Sequence, residues 1–231
     1  MTQRRDAAHP ATTSSRTGLT ILVLAKSPRA GHSKTRLAPV FGSDGAAALA
    51  AAALADTLDA VAAAAAVRRV LVLDGAALAA LPAGFDVVPQ ATGAHAERIE
   101  AALAASTGPT LLIGMDTPQV TPALLSLDVG DLTVDAWFGP AADGGWWALG
   151  LRDPARHARQ VLAGVPMSTP RTGGIQRRRL TDAGLAVRDL PLLRDVDEPA
   201  DAFGVADGAP SGRFGHLVRA LTTEVGAVAP A

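Results

Sequence analysis

Two kinds of segment carry the charge that could do chemistry in this chain. Residues 25–39 read AKSPRAGHSKTRLAP, which sets Lys26, Arg29, Lys34 and Arg36 around Gly31 and several small residues. Such cations, beside backbone N–H groups at a helix start, suit a phosphate chain, because each adds a charge-assisted hydrogen bond to an anionic oxygen. A solvated surface loop would account for the same composition. Lysine narrows the choice: of 21 Lys and Arg residues only Lys26 and Lys34 are lysine, and both fall here. A GC-rich coding bias would drain Lys, explain the absence of Tyr and inflate Ala and Arg, so lysine kept under that pressure points to a use for a compact charge.

The acids lie further along. GMDTP (Gly114 to Pro118) and LRDVDEP (Leu193 to Pro199) contribute Asp116, Asp195 and Asp197. Asp195 and Asp197 are two apart and share one side of an extended chain. With Asp116 they could hold Mg²⁺ or Mn²⁺, since such a hard ion takes one or two carboxylates and completes its shell with substrate phosphates. Asp116 could instead cap a helix near Thr121, and Asp197, before Glu198 and Pro199, the helix after it. In GPAADGGWWALGL (Gly139 to Leu151) the glycines Gly144 and Gly145 would let backbone approach a ligand, and Asp143 could take a hydroxyl or the ion. A hairpin turn beside Trp146 and Trp147 fits equally. His9, His32, His95, His157 and His216 show no metal-like pairing, and only His32, inside the cationic loop, is a candidate.

Several chemistries fall away. The chain has no Cys, which removes disulfides, thiolate metal sites and thiol nucleophiles. Ser33-Lys34-Thr35 lacks the spaced glycines of a Walker A loop, no G-x-G-x-x-G occurs, and Gly31 to Thr35 lacks the last glycine of a nucleophile elbow. A net charge of -1 and 3% aromatic residues leave no footprint for nucleic acid. Arg177, Arg178 and Arg179 form one short run, expected on a solvated helix face.

Elements that would position these residues follow from periodicity. Leu19 to Ala25 is a continuous apolar run, the pattern of a strand buried on both faces of a parallel sheet. Strands are also expected at Val67 to Leu73, Phe85 to Val88, Thr110 to Ile113, Asp135 to Phe138, Trp146 to Leu151 and Leu185 to Leu190. Helices are expected from a Ser43 N-cap through the Ala-rich run, and at His95 to Ser106, Pro154 to Leu162, Asp197 to Ala206 and Arg213 to Glu224. Such alternation predicts one α/β domain, Rossmann-like, with a mostly parallel twisted sheet and helices on both faces, its ligands at the carboxyl ends of the strands. The domain is expected over residues 18–225, between a disordered tail (1–17) and a flexible end (226–231). The tail lacks the apolar core of a secretory signal. The run from Ala46 to Val67 is long enough to span a bilayer, but Asp56 and Asp59 would each cost roughly 2.5–3.5 kcal/mol there. A soluble cytoplasmic protein, with no membrane partner, is expected.

Taken in order, AKSPRAGHSKTRLAP, GMDTP, GPAADGGWWALGL, MSTP and LRDVDEP closely resemble the bacterial radical-SAM/selenodomain-associated transferase 1 family, within the nucleotide-diphospho-sugar transferase (GT-A-like) superfamily. That family is similar in plan to the molybdenum-cofactor and phospholactate guanylyltransferases. The resemblance spans about Leu19 to Phe203. It implies that Ala25, Lys26, Gly31, Lys34 and Arg36 face nucleotide phosphates, with Gln90, Gly93 and Arg98 on the nucleotide side. Asp116 would be the metal carboxylate, completed by Asp195 and Asp197. Asp143, Gly144, Gly145, Trp146, Ser168 and Thr169 would meet the acceptor. Met167 departs from the family's usual aromatic, and Thr172-Gly173-Gly174 is expected to interrupt the following helix.

Four cations in one loop favour a triphosphate over a diphosphate sugar. The expected activity is therefore Mg²⁺-dependent nucleotidyl transfer from an NTP to a phosphorylated small molecule, with Lys34, Arg36 and Asp116 central to catalysis and pyrophosphate released. Glycosyl transfer from a nucleotide sugar is the alternative, and a non-catalytic nucleotide-binding module a second. A monomer or homodimer would serve any of these.

Overall fold

A run with no polar side chain between its ends forms the middle of the sheet. β1 (Thr20–Lys26) is buried from Thr20 through Ala25, and only Lys26 emerges at its end. A strand so enclosed needs neighbours on both sides, and β2 (Arg68–Asp74) and β4 (Thr110–Ile113) flank it in parallel. The computed structural model describes residues 18–209 and 211–228. The expected N-terminal tail and residues 229–231 lie outside the described residues.

The other strands are β3 (Phe85–Pro89), β5 (Ala136–Pro140), β6 (Trp146–Leu151) and β7 (Val187–Asp189). The sheet order is β3-β2-β1-β4-β6-β5-β7. Every strand runs the same way except β6, which is antiparallel to both β4 and β5. This is the mostly parallel α/β architecture expected from the sequence. The chain winds outward from β1 to β3, then returns to lay β4 on the other side of β1. Loops leaving β1 and β4 therefore part at their carboxyl ends and leave a crevice between them.

Helices cover both faces. A 3₁₀ turn (Thr35–Leu37) leads into α1 (Ala38–Ala63), followed by α2 (His95–Ala104), α3 (Pro122–Leu125), α4 (Pro154–Leu162), α5 (Thr172–Asp182), α6 (Pro199–Gly208) and α7 (Arg213–Val228). Alternate β1 residues Ile21 and Val23 pack with Leu54 and Leu58 of α1, while Leu22 and Leu24 point oppositely, toward Ile99 of α2 and Val161 of α4. A third core joins α1 to α6 and α7 through Phe41, Leu49, Val205 and Phe214.

Some boundaries differ from the sequence expectation. α1 opens with a short turn at Ala38, where Pro39 is tolerated because its missing N–H is not needed, and breaks at Gly42, at φ 70 and ψ 166; the long Ala-rich helix then runs on from Ser43, where the sequence places its start. Thr172-Gly173-Gly174 begins α5 instead of interrupting a helix. The glycine serves proximity there: Gly173 N–H donates to Gly144 O at 2.8 Å, and a Cβ on Gly173 would lie 2.2 Å from Gly145 O. α7 runs through Val228, so residues 226–228 of the expected flexible end are helical.

The segment Thr35–Ala63 is long and apolar enough to cross a membrane by length and composition, since it contains an 18-residue stretch with a mean hydropathy of 1.5, and half of that stretch is buried within the fold. Its acids have a structural use. Asp56 accepts the backbone N–H groups of Arg213 and Phe214 at 3.0 and 2.9 Å, capping α7, and the Arg213 guanidinium pairs with both Asp56 and Asp59. Of the arginine run on α5, Arg177 grips Asp189 of β7 with two bonds of 2.8 Å.

Candidate active site

The crevice at the ends of β1 and β4 opens into a cleft of about 910 Å³. Its walls include Ala25, Lys26, Lys34, Arg36, Gln90, Arg98, Asp116, Asp143, Gly145, Trp146, Ser168, Thr169, Asp195 and Asp197, so segments far apart in sequence converge as expected. Gly31 and Gly144 do not line it. Gly31 turns the cationic loop at φ 73 with open space around it, and Gly144, at φ 86, seats the β5–β6 turn against Pro170, whose carbonyl oxygen would lie 2.1 Å from an added Cβ. At both positions the glycine permits a positive φ that a side chain would resist. Gly93, at φ 118, is likewise a backbone glycine near Glu97, whose carboxylate accepts the Ala94 N–H at 2.8 Å ahead of α2.

Lys34 is the centre of charge. Its ammonium sits 2.7 Å from Asp116 Oδ1 and 3.0 Å from Asp197 Oδ1, and Arg36 reaches the other Asp197 oxygen at 3.8 Å. Its backbone is left-handed, at φ 48 and ψ 44, which costs a non-glycine residue about 1–2 kcal/mol. Burial alone would lower the Lys34 pKa; the Asp116 and Asp197 carboxylates outweigh it and hold the group above its usual value. Val196, buried, donates its N–H to Asp116 O at 2.9 Å and so fastens the DVD segment beside the end of β4. Ser33 is not poised as a nucleophile, since its hydroxyl accepts the Arg29 N–H at 2.9 Å within the loop.

Asp195 stands among acids. Burial, then the Asp143 and Asp116 charges, push its carboxyl up from 3.8 to about 7, against the pull of Lys34 and with a smaller push from Asp197. A raised acid favours the folded state below its unfolded pKa, and that stability is lost as pH climbs from about 4 through about 7. Asp195→Asn removes the loss. In chemical denaturation of the ligand-free protein, the variant is expected to gain on the order of 2 kcal/mol over wild type at pH 8, screened by partial solvent access, and to show a flatter pH profile. An unchanged wild-type slope between pH 4 and 7 would count against this crowding.

The resemblance implies a divalent cation, and the donors fit one. They are hard carboxylate oxygens, and the negative charge crowded around Asp195 is what a bound cation relieves. The expected triad needs correction, however. Among the described residues no group of three or more His, Asp or Glu is gathered as a ready cage, and Lys34 stands between Asp116 and Asp197. What the geometry offers is one or two carboxylates, with substrate oxygens to complete the shell.

On the β1–β2 side, Gln90 donates to Ala25 O at 2.7 Å and Val72 O at 3.2 Å, tying the strand ends together. Arg98 donates to Gln90 Oε1 at 3.2 Å and pairs with Asp74 at 3.5 Å, while its buried Nε has no partner. The sequence reading passes over His95. It opens α2 on the cleft wall, with its pKa lowered by burial and by the Arg98 and Lys26 charges, against the pull of Asp116. The available signal was its place at the start of the helix that follows β3, at the carboxyl edge of the sheet. On the opposite side Asp143 accepts the Gly145 N–H at 2.8 Å, and Trp147 is buried with its indole N–H on Pro191 O at 2.9 Å, leaving half-buried Trp146 on the wall. Thus the hairpin and ligand-wall readings of this segment coincide. Ser168 is held at φ 59, and Thr169 N–H donates to the hydroxyl of buried Thr172 at 3.1 Å.

Comparison with known proteins matches this fold. A protein from Desulfovibrio desulfuricans G20, provisionally assigned as a nucleotide-diphospho-sugar transferase, superposes with a TM-score of 0.78 at 24% identity, over 90% of this chain and 97% of that one. Rv0371c from Mycobacterium tuberculosis H37Rv is 27% identical with a TM-score of 0.51, over 80% and 95%. A Methanothermobacter nucleotidyl transferase is 14% identical with a TM-score of 0.53, over 87% and 98%. No curated protein matches the chain. The family profile described as "Uncharacterized protein conserved in bacteria (DUF2064)" matches residues 54–169, just over half of the sequence, from the middle of α1 to the loop before α5. The chain belongs to that DUF2064 family.

Proposed function

We propose that this protein is a divalent-cation-dependent transferase acting on a nucleotide-activated substrate, and specifically a nucleotidyltransferase that joins an NTP to a phosphorylated small molecule. The observation that carries the reading is the convergence of Lys26, Lys34, Arg36 and Arg98 with Asp116, Asp143, Asp195 and Asp197 on one cleft at the carboxyl ends of β1 and β4. Likeness in fold to a nucleotidyl transferase and the motif resemblance to the radical-SAM-associated transferase 1 family support it.

In this reading Lys26, Arg36 and Arg98 hold the triphosphate, and Gln90 fixes the strand ends beside the nucleoside. Asp116 and Asp195 would hold the cation, which when bound offsets charge on the phosphate oxygens. An acceptor phosphate oxygen attacks the α-phosphorus; the bond to the bridging oxygen breaks, and pyrophosphate leaves with that electron pair. Trp146, Ser168 and Thr169 would position the acceptor. The test is pyrophosphate release from a panel of NTPs with phosphorylated sugars and acids, with Mg²⁺ or Mn²⁺. Glycosyl transfer is the second reading, favoured by the placement of Asp143 near Asp195 beside the acceptor wall. NDP release from UDP- or GDP-sugars without pyrophosphate would overturn the first reading in favour of the second.

A further inference from the structure

Lys34 holds a position that a plain phosphate ligand need not hold. Its ammonium bonds Asp116 Oδ1 and Asp197 Oδ1, at 2.7 and 3.0 Å, the same kind of hard oxygen that a divalent cation takes. It is also the shielded member of the group: the lysine side chain is 11% exposed, against 42% and 44% for the two carboxylates. The acids face the cleft while the cation reaches them from its wall. The residue pays for this pose with a left-handed backbone, shared among described non-glycine residues only with Ser168.

We propose that Lys34 is a built-in counter-cation that competes with the metal for Asp116 and transfers to the polyphosphate when metal and nucleotide enter together. The second half rests on the transferase reading above; the first does not. A metal arriving alone must strip the ammonium from Asp116 and leave it short of a partner. A metal arriving with a triphosphate supplies new anionic oxygens for the displaced ammonium. Metal and nucleotide then bind cooperatively, and by linkage each raises affinity for the other by the same factor. Lysine suits the exchange because its single compact charge can change partners by rotation about a flexible stem, which the planar fork of arginine does less readily.

The test is Mn²⁺ binding to the full chain without nucleotide, followed by the free-Mn²⁺ electron paramagnetic resonance signal. Lys34→Gln is expected to bind Mn²⁺ about tenfold tighter than wild type, within the usual range of such couplings. Lys34→Arg, which keeps a cation near the acids, is expected to stay within a few fold of wild type. With Mn²⁺ present, Lys34→Gln is expected to bind a non-hydrolysable NTP more weakly. Equal or weaker Mn²⁺ binding by Lys34→Gln, with wild type binding normally, overturns the exchange and leaves the transferase reading standing. No Mn²⁺ binding by any of the three proteins removes the cation from both. A measurement on wild type guards against a variant that folds poorly. The chain has only two lysines, so the ¹⁵N-labelled side-chain ammonium signals in NMR come from Lys26 and Lys34 alone. Mg²⁺ is expected to move the Lys34 signal most, and a Lys34 signal unmoved at saturating Mg²⁺ also overturns the exchange.

Discussion

Replacing Asp116 with Asn is expected to lower cation-dependent pyrophosphate release by about a hundred- to a thousandfold, the scale seen when one preorganised electrostatic contact to a transition state is removed. The residue leaves the sheet just beyond β4, where a side chain is held by the strand yet faces the cleft. Asn keeps the size of Asp but has no charge to share with a cation. The fold is expected to persist, because the tie to the DVD segment uses the Asp116 backbone oxygen and Lys34 retains Asp197 at 3.0 Å. Circular dichroism should therefore match wild type while activity disappears. Full activity in a folded Asp116→Asn protein would remove this carboxylate from the chemistry, whichever transfer reaction is being followed.

Two neighbouring glycines are expected to respond in opposite directions. Gly173→Ala forces a Cβ to within 2.2 Å of Gly145 O, a backbone atom that cannot rotate away. Relief requires α5 to lift off the β5–β6 turn, which breaks the Gly173 N–H bond to Gly144 O. The expected cost is about 3 kcal/mol, a loss of roughly 6–12 °C in Tm for a domain of this size. Because this contact seats the turn that carries Asp143 and Gly145, which meets the acceptor in the transferase reading proposed above, KM for the acceptor is expected to rise as well. Gly174→Ala meets nothing within 4 Å and lies in the same helix, so it is expected to stabilise by about 0.5–1 kcal/mol. Matched melting curves on the pair decide the matter. Similar destabilisation by both would mean that helix propensity, rather than close docking, fixes this junction.

These glycines also mark where local reading of the sequence gives out. Gly173-Gly174 looked like a helix interruption because propensity scores each glycine against Ala in isolation. The tertiary contact reverses that judgement at Gly173, where no side chain fits. Gly144 and Gly31 fall outside the cleft lining for a related reason: a glycine at positive φ serves a turn as readily as a bound molecule, and only the positions of other segments distinguish the two. Elsewhere the pattern was plain. The apolar run ahead of Lys26 could only be a central strand, and Thr110–Ile113, Trp146–Leu151 and Pro154–Leu162 fall at the expected residues. Their periodicity is a property of neighbouring residues, so no distant contact was needed to read it.

For the site, residue type and location at a strand end were enough to gather Lys26, Lys34, Asp116, Asp143, Asp195 and Asp197 in advance, since a mostly parallel sheet brings all its carboxyl ends to one edge. His95 starts the helix that follows β3 at the same edge and was passed over because it had no histidine partner, although the partners that shift it, Arg98, Lys26 and Asp116, are of other types and come from three segments. The pairing of charges was not legible at all. Opposite charges on separate loops are consistent with many partnerships, and only the distances assign Lys34 to Asp116 and Asp197, rather than leaving it free to face a phosphate. The sequence by itself determined the sheet, its edge and the charges delivered there, because these follow from local apolar patterning. The tertiary structure decided which charge neutralises which, because electrostatic partnership depends on separations of a few ångströms between segments far apart along the chain.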